Sequence, residues 1–438
     1  MAILSSSDSS SASNKSNKER PRDQREPTRV LRQLSQTTTG WVAQALKAPL
    51  ANFYLVLVSA GLLVTLGVMM VLSASSVFAY MRYGEDSYYF VKRQVLFAVG
   101  GVVGAAVLSR MRFAHLRKLA WPALGLSATL LILTYVPGLG VEVNGNQNWL
   151  QLGSESLRIQ PAEFAKLAII VWAAHILTLK AKVLDRPKQL LIPVLPGVGV
   201  IIALVVFQGD MGTAVILIGI LAGLLWVIGT PARILLAMGG VAIASVAVLT
   251  VTSANRMRRL MAFARPELDT QDTNLQATIG TYALATGGWW GVGLGRSRQK
   301  WGSLPEAHTD FIFAVIGEEL GLVGTIVVLG LFVILGVAGL RIAMHSDTIF
   351  GRVTAAGITT WFMFQAMVNL GVVLRLLPVM GVPLPLVSYG GSALLANLLA
   401  LGVLLACARQ EPQARAALAA KRRAPKPRMT TVVGTRRG

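Results

Sequence analysis

Ten apolar blocks limit what this chain can become. They fall at about residues 52–74, 93–109, 117–136, 162–180, 189–207, 211–229, 231–252, 311–343, 349–374 and 387–408. Each is close to the roughly 20 residues that a helix needs to cross a bilayer. In lipid the backbone must satisfy its own N–H and C=O groups, so segments of this length become helices. The expected fold class is an all-α polytopic membrane protein of about ten transmembrane helices. A hydrophobic share of 54% and a mean hydropathy of +0.59 over 438 residues agree with that reading.

The net charge of +21 could suggest nucleic acid, but its distribution argues otherwise. Basic residues concentrate in the two tails and in alternate short loops: Arg110, Arg112, Arg117 and Lys118; Lys180, Lys182, Arg186 and Lys188; Arg233; and Arg341 with Arg352. Orientation by positive charge puts these loops and both termini in the cytoplasm and assigns no nucleic-acid partner. The other face then carries loops 137–161, 253–310 and 375–386, the largest lying between the seventh and eighth spans.

Residues 1–47 are rich in Ser, Lys, Arg and Gln and read as a disordered basic cytoplasmic tail without a cleavable signal. Residues 48–409 form the membrane domain, and 410–438 a second disordered basic tail, both tails suiting contact with anionic lipid. The single cysteine, Cys407, rules out an intrachain disulfide.

The stretch KWGSLPEAHTDFIFAVIGEELG, from Lys300 to Gly321, carries three carboxylates at the mouth of a span. Ionisable groups at such a depth serve substrate or ion paths by default, so Asp310, Glu318 and Glu319 are read as functional. The structural alternative is a helix cap at Thr309 or Asp310. On a helix turning about 100° per residue, Glu318 lies about 80° from Asp310 and Glu319 opposite it, so the three do not form one cluster.

Elsewhere, Glu163 and Lys166, at i and i+3 after Pro161, share a helix face and can pair. Trp149 suits an interfacial anchor or a stack on a sugar ring. Asp210 in QGDMGT reads as a turn with a capping carboxylate. The glycines of GGWWGVGLG, 287–295, make an interfacial or re-entrant turn, with Trp289 and Trp290 at headgroup level. No GxxxxGK[ST] loop occurs, so no nucleotide cofactor is expected, and a substrate on the outer face must arrive already activated, on a lipid. Basic groups from Arg258 to Lys300 suit a pyrophosphate, with the membrane surface as competitor. Three prolines and two paired glycines in VNLGVVLRLLPVMGVPLPLVSYGGS, 368–392, mark broken helix lining a cavity.

Together, QPAEFAK, the glycine-rich loop ending in Lys300, LPEAHTDFIFAVIGEELG and PLPLVSYGGS resemble the SEDS (shape, elongation, division and sporulation) glycosyltransferases, FtsW and RodA, from about Leu55 to Arg409. The resemblance implies a peptidoglycan polymerase in the bacterial cytoplasmic membrane that uses lipid II and works at the division septum if of the FtsW type, towards which the long basic tails lean. It gives Asp310 as the catalytic base and Trp149, Glu163, Lys166, Asp210, Lys300, His308, Ser388, Gly390, Gly391 and Ser392 as substrate-binding. It also implies a class B penicillin-binding transpeptidase and other division proteins as partners, and leaves a divalent cation, Mg²⁺ or Mn²⁺, open as cofactor. The chain departs from the family pattern at Gln147 and Asn148, at QGD, and at Leu374, Arg375 and Met380. A lipid II flippase is the rival function, since buried charge and broken helices also suit alternating access; an elongation-type polymerase is the rival subtype.

Overall fold

The structure, a computed structural model, describes residues 48–84, 86–143, 145–151, 153, 158–181, 187–265, 275–298 and 307–423. All belong, save Ala48, to the unit Pro49–Gly438. The expected tail 1–47 and Lys300 lie outside the described residues.

Ten apolar helices are present among the described residues: α1 (Ala51–Arg82), α2 (Tyr89–Leu108), α3 (Phe113–Leu133), α4 (Pro161–Leu179), α5 (Pro187–Phe207), α6 (Met211–Val227), α7 (Ala232–Val251), α10 (Ile312–His345), α11 (Ile349–Val373) and α12 (Gly391–Arg409). Eight are long and apolar enough to cross a membrane; the other two carry shorter apolar segments, Ile192–Phe207 and Met211–Val227. At 1.5 Å per residue the 32 residues of α1 reach about 48 Å, past the hydrocarbon layer, eight residues beyond the block read from hydropathy.

The bundle packs α2 on α12, α1 on α10, α10 on α11, and α11 in turn on α4 and α6. Apolar side chains gain nothing by leaving lipid for one another, so close approach through small residues does the work. At the α2–α12 crossing a methyl on Gly402 would stand 2.6 Å from the Ala105 Cα, so the two backbones meet there without side chains between them. α4 buries fourteen of its nineteen residues, Glu163 and Lys166 among them. α7 buries none.

Four expectations need correction. Loop 137–161 is not merely a loop in this otherwise helical fold: it holds β1 (Gly140–Val143), β2 (Asn146–Gln151) and β3 (Arg158–Ile159), an antiparallel sheet of order β1-β2-β3. Alternation is masked there by polar residues on both faces, as in NQNWLQ. Loop 253–310 is not merely a loop, for it contains α8 (Ala254–Ala264) and α9 (Leu275–Thr286). α8, ANRMRRLMAFA, sets Arg256, Arg258 and Arg259 against Met257, Leu260, Met261 and Phe263, an amphipathic pattern suited to a membrane surface. The C-terminal tail begins as helix, α13 (Pro412–Arg423), where PQARAALAAKRR is rich in strong helix formers. Finally, α12 starts at Gly391 rather than near 387, because residues 374–390 stay irregular.

Candidate active site

The irregular segment 374–390 is the hub of the polar interior. On one side it meets α4. Pro161 occupies the first helical position after extended Gln160, which aims the next turns inward. Lys166 Nζ lies 2.8 Å from Glu163 Oε1 and 2.9 Å from Gln365 Oε1, and sits 4.9 Å from the Trp361 ring centroid. Trp361 Nε1 donates to the same Gln365 oxygen at 2.7 Å, while Gln365 Nε2 donates to the Pro383 carbonyl at 2.8 Å. Both charged side chains are at most 2% exposed. A pair so buried is held by its hydrogen bonds, because desolvation takes back most of the Coulomb gain.

On the other side, the turn Ala307–Asp310 carries the base candidate. α10 begins at Ile312 with Phe311 in the N-cap position, so neither Thr309 nor Asp310 occupies it. The helical-wheel angle from Asp310 therefore does not apply. Asn369 Nδ2 donates to the Asp310 carbonyl and to the Val382 carbonyl, both at 2.8 Å. Tyr389 N–H donates to the His308 carbonyl at 2.9 Å. The buried His308 ring packs against Phe90 and Tyr389, centroids 4.7 and 5.5 Å away. Asp310 itself is half-buried, and a methyl on Gly381 would stand 3.7 Å from its Oδ2. Its Oδ2 thus lies beside a residue without a side chain.

The remaining motif residues brace this frame. Ser388 Oγ accepts from Leu384 N–H at 2.8 Å, its carbonyl accepts from Gln94 Nε2, and Gly390 N–H donates to Gln94 Oε1. Gly391 lies against the Phe97 ring. Ser392 Oγ accepts from Gln160 N–H at 3.2 Å, tying the start of α12 to that of α4. Asp210 caps α6 through Thr213 N–H and also accepts from Asn148 Nδ2 and Gln160 Nε2, each at 2.9 Å. Half-buried Trp149 pairs with Val141 across the sheet.

Glu318 and Glu319 turn away from this hub and clamp the glycine-rich loop. Glu318 accepts from Ser297 Oγ and from Arg298 N–H at 2.9 Å; Glu319 accepts from Ser73 Oγ at 2.6 Å. Their carbonyls accept from Val292 and Gly293 N–H. α10 is kinked at Gly321, φ 68°, where a methyl would stand 2.4 Å from Gly291 N. Only glycine permits that backbone approach at that φ.

Two features escaped the sequence reading. Arg375 and Leu386 in the hub hold positive φ, 58° and 66°. Such strain in non-glycine residues gathers at functional sites. Trp361, Gln365 and Asn369 recur at four-residue spacing in an apolar span, a stripe that could have been read as one polar face.

This architecture has relatives. The model of the cell cycle protein family FtsW, RodA and SpoVE matches residues 53–413. The chain belongs to that family. It is 42% identical over 374 residues to the probable peptidoglycan glycosyltransferase FtsW of Mycobacterium tuberculosis, covering 85% of this chain and 71% of the relative. Among solved structures it is similar to the rod shape determining protein RodA of Thermus thermophilus, at 28% identity and TM-score 0.59 over 82% of this chain and 96% of that one. It is similar too to a chain from a study of polymerisation and crosslinking by a peptidoglycan synthase complex, at 27% identity and TM-score 0.60 over 79% and 97%. As members of this family, these residues fold into a multi-pass membrane protein, with the hub at its polar centre.

Proposed function

We propose that this protein is a peptidoglycan glycosyltransferase of the division type that polymerises lipid II at the outer face of the cytoplasmic membrane. The observation that carries the reading is Asp310: a half-buried carboxylate on a turn pinned by backbone bonds to the hub, in a chain whose relatives bear that activity in their names.

In this mechanism Asp310 takes the proton from the 4-hydroxyl of the acceptor sugar. The freed oxygen pair attacks the donor's anomeric carbon from the face opposite the pyrophosphate. The bond from that carbon to the pyrophosphate oxygen breaks, its electrons leave with undecaprenyl pyrophosphate, and an α-linked donor gives a β-linked product. A base needs only hydrogen-bond reach to the hydroxyl. Arg296 and Arg298, on the loop clamped by Glu318 and Glu319, supply positive charge where the pyrophosphate gathers it, and Lys300, two residues on in the sequence, would add to it. Glu163 with Lys166 fixes the opposing wall; Glu163 Oε2 and Asn369 Oδ1, buried without a protein partner, are left to accept from water or substrate hydroxyls.

Among the described residues no three His, Cys, Asp or Glu side chains gather; a Mg²⁺ or Mn²⁺ ion would be held by a carboxylate together with the pyrophosphate oxygens of the substrate, and the scheme takes no step through one. A class B penicillin-binding transpeptidase is the expected partner, crosslinking what this chain polymerises, and the septum its expected place; both termini face the cytoplasm.

The test is polymerisation of lipid II by the purified protein in liposomes, with and without the transpeptidase. Asp310→Ala should bind lipid II yet make no glycan. Normal glycan from that variant overturns the assignment, and lipid II crossing the bilayer without any polymer from the wild type would favour a flippase.

A further inference from the structure

Far from the hub, at the opposite end of α3 and α4, a cleft of about 400 Å³ is lined by Ala114, Arg117, Lys118 and Trp121 of α3 and His175 of α4. Positions 114, 117, 118 and 121 form one helical stripe, so the lining is a continuous face and not a scatter of loop residues. Arg117 Nε donates to His175 Nδ1 at 3.4 Å, which holds the imidazole as an acceptor and bridges the two helices. No carboxylate lines the cleft, and among the described residues none pairs with Arg117 or Lys118. Two cations gathered in a concave site without a counter-charge form an anion site.

The cleft's surroundings identify the anion's carrier. Trp121, 56% exposed, forms the lipid-side wall and packs edge-on to Trp172 with centroids 5.5 Å apart. Beyond it the helix surface is apolar and open: Leu126 is exposed, and a methyl on Gly125 would meet nothing. A polar head in the cleft would thus continue into acyl chains along α3. An indole between wet and apolar zones marks the headgroup level. Lys and Arg distribution assigns this end of the bundle to the cytoplasm, the leaflet surface where anionic lipids attract basic residues.

We propose that this cleft binds the phosphate-bearing headgroup of an anionic lipid in the cytoplasmic leaflet. The site is separate from the tails, whose expected contact with anionic lipid rests on charge alone. The inference rests on the orientation read from charge and not on the catalytic assignment, so Asp310→Ala should retain lipid as the wild type does.

The experiment is native mass spectrometry of the full chain, purified in mild detergent, with phosphatidylglycerol, phosphatidylcholine or inorganic phosphate added. The wild type should retain phosphatidylglycerol in preference to phosphatidylcholine and be little affected by phosphate. Arg117→Gln and Lys118→Gln should each weaken that preference about 5-fold, and the double variant about 30-fold. Arg117→Lys/Lys118→Arg, which keeps both charges, should restore most of it, and Arg352→Gln, in the first turn of α11, should leave it unchanged. Equal retention of the two lipids, an unchanged preference in the double variant, or full displacement of phosphatidylglycerol by inorganic phosphate would each overturn the proposal.

Discussion

Glu163 and Asp310 are both carboxylates bordering the same irregular segment, yet their surroundings differ in kind. Glu163 stands on a buried helix, paired with Lys166 in a site at most 2% exposed. Asp310 stands on a turn, half-buried, its carbonyl bonded to Asn369 and its Oδ2 beside Gly381. The first arrangement suits a fixed charge that never leaves its partner, and the second a group that must meet a substrate hydroxyl. Burial alone therefore does not rank catalytic candidates.

The comparison breaks most visibly at Asp310. Asp310→Ala should lower lipid II polymerisation by about 10²- to 10⁴-fold, the range of a lost general base, with an unfolding midpoint close to wild type. Lys166→Met should do the reverse to stability, costing about 3–5 kcal/mol by leaving Glu163 charged and unpaired. Glu163→Gln/Lys166→Met should recover much of that loss in detergent melts. If the double variant is no better than the single, the buried pair is not what Lys166 serves.

Loop clamping gives the next effect. Glu318→Ala removes the acceptor for Ser297 and Arg298, about 3 kcal/mol locally, so amides of Val292–Arg298 should exchange about 100-fold faster while α11 stays protected. Asp210→Ala should cost about 2 kcal/mol, part from the lost cap of α6 and part from the orphaned Asn148 and Gln160 donors. The smallest effect is at Glu411, a third kind of carboxylate. It lies between α12 and α13, accepts from Asn52 Nδ2 at 3.0 Å, and is raised above the usual 4.5 by burial, which outweighs the lowering by Asn52, His345 and Arg341. A raised folded-state pKa means that this contribution is full below the unfolded value and lost as pH climbs through the folded one. Glu411→Gln should flatten that part of the decline in midpoint as pH rises above 4.5.

Most of this architecture was legible because hydropathy is a direct constraint in lipid: the ends of α4, α7 and α11 lie within a residue or so of the blocks read from sequence. The Glu163–Lys166 contact was legible for a similar reason, since i,i+3 spacing fixes a shared face. What was hidden depends on distant chain segments. Nothing local to GEELG says that Gly321 breaks the helix to receive Gly291, or that two glutamates face the loop instead of the hub. The sheet at 140–159 was hidden because its strands are short and polar, and the start of α10 because a turn secured from α11 displaced the cap.

Cys407, the sole thiol of the chain, is 1% exposed within α12. A charged maleimide thus has nothing to react with in the wild-type molecule, and any cysteine introduced into a surface turn becomes its single address. Substituting Arg110 in one experiment and Gly138 in another, both exposed, then labelling sealed vesicles from without, would fix which side of the membrane each end of α3 reaches without first stripping the chain of sulfhydryls.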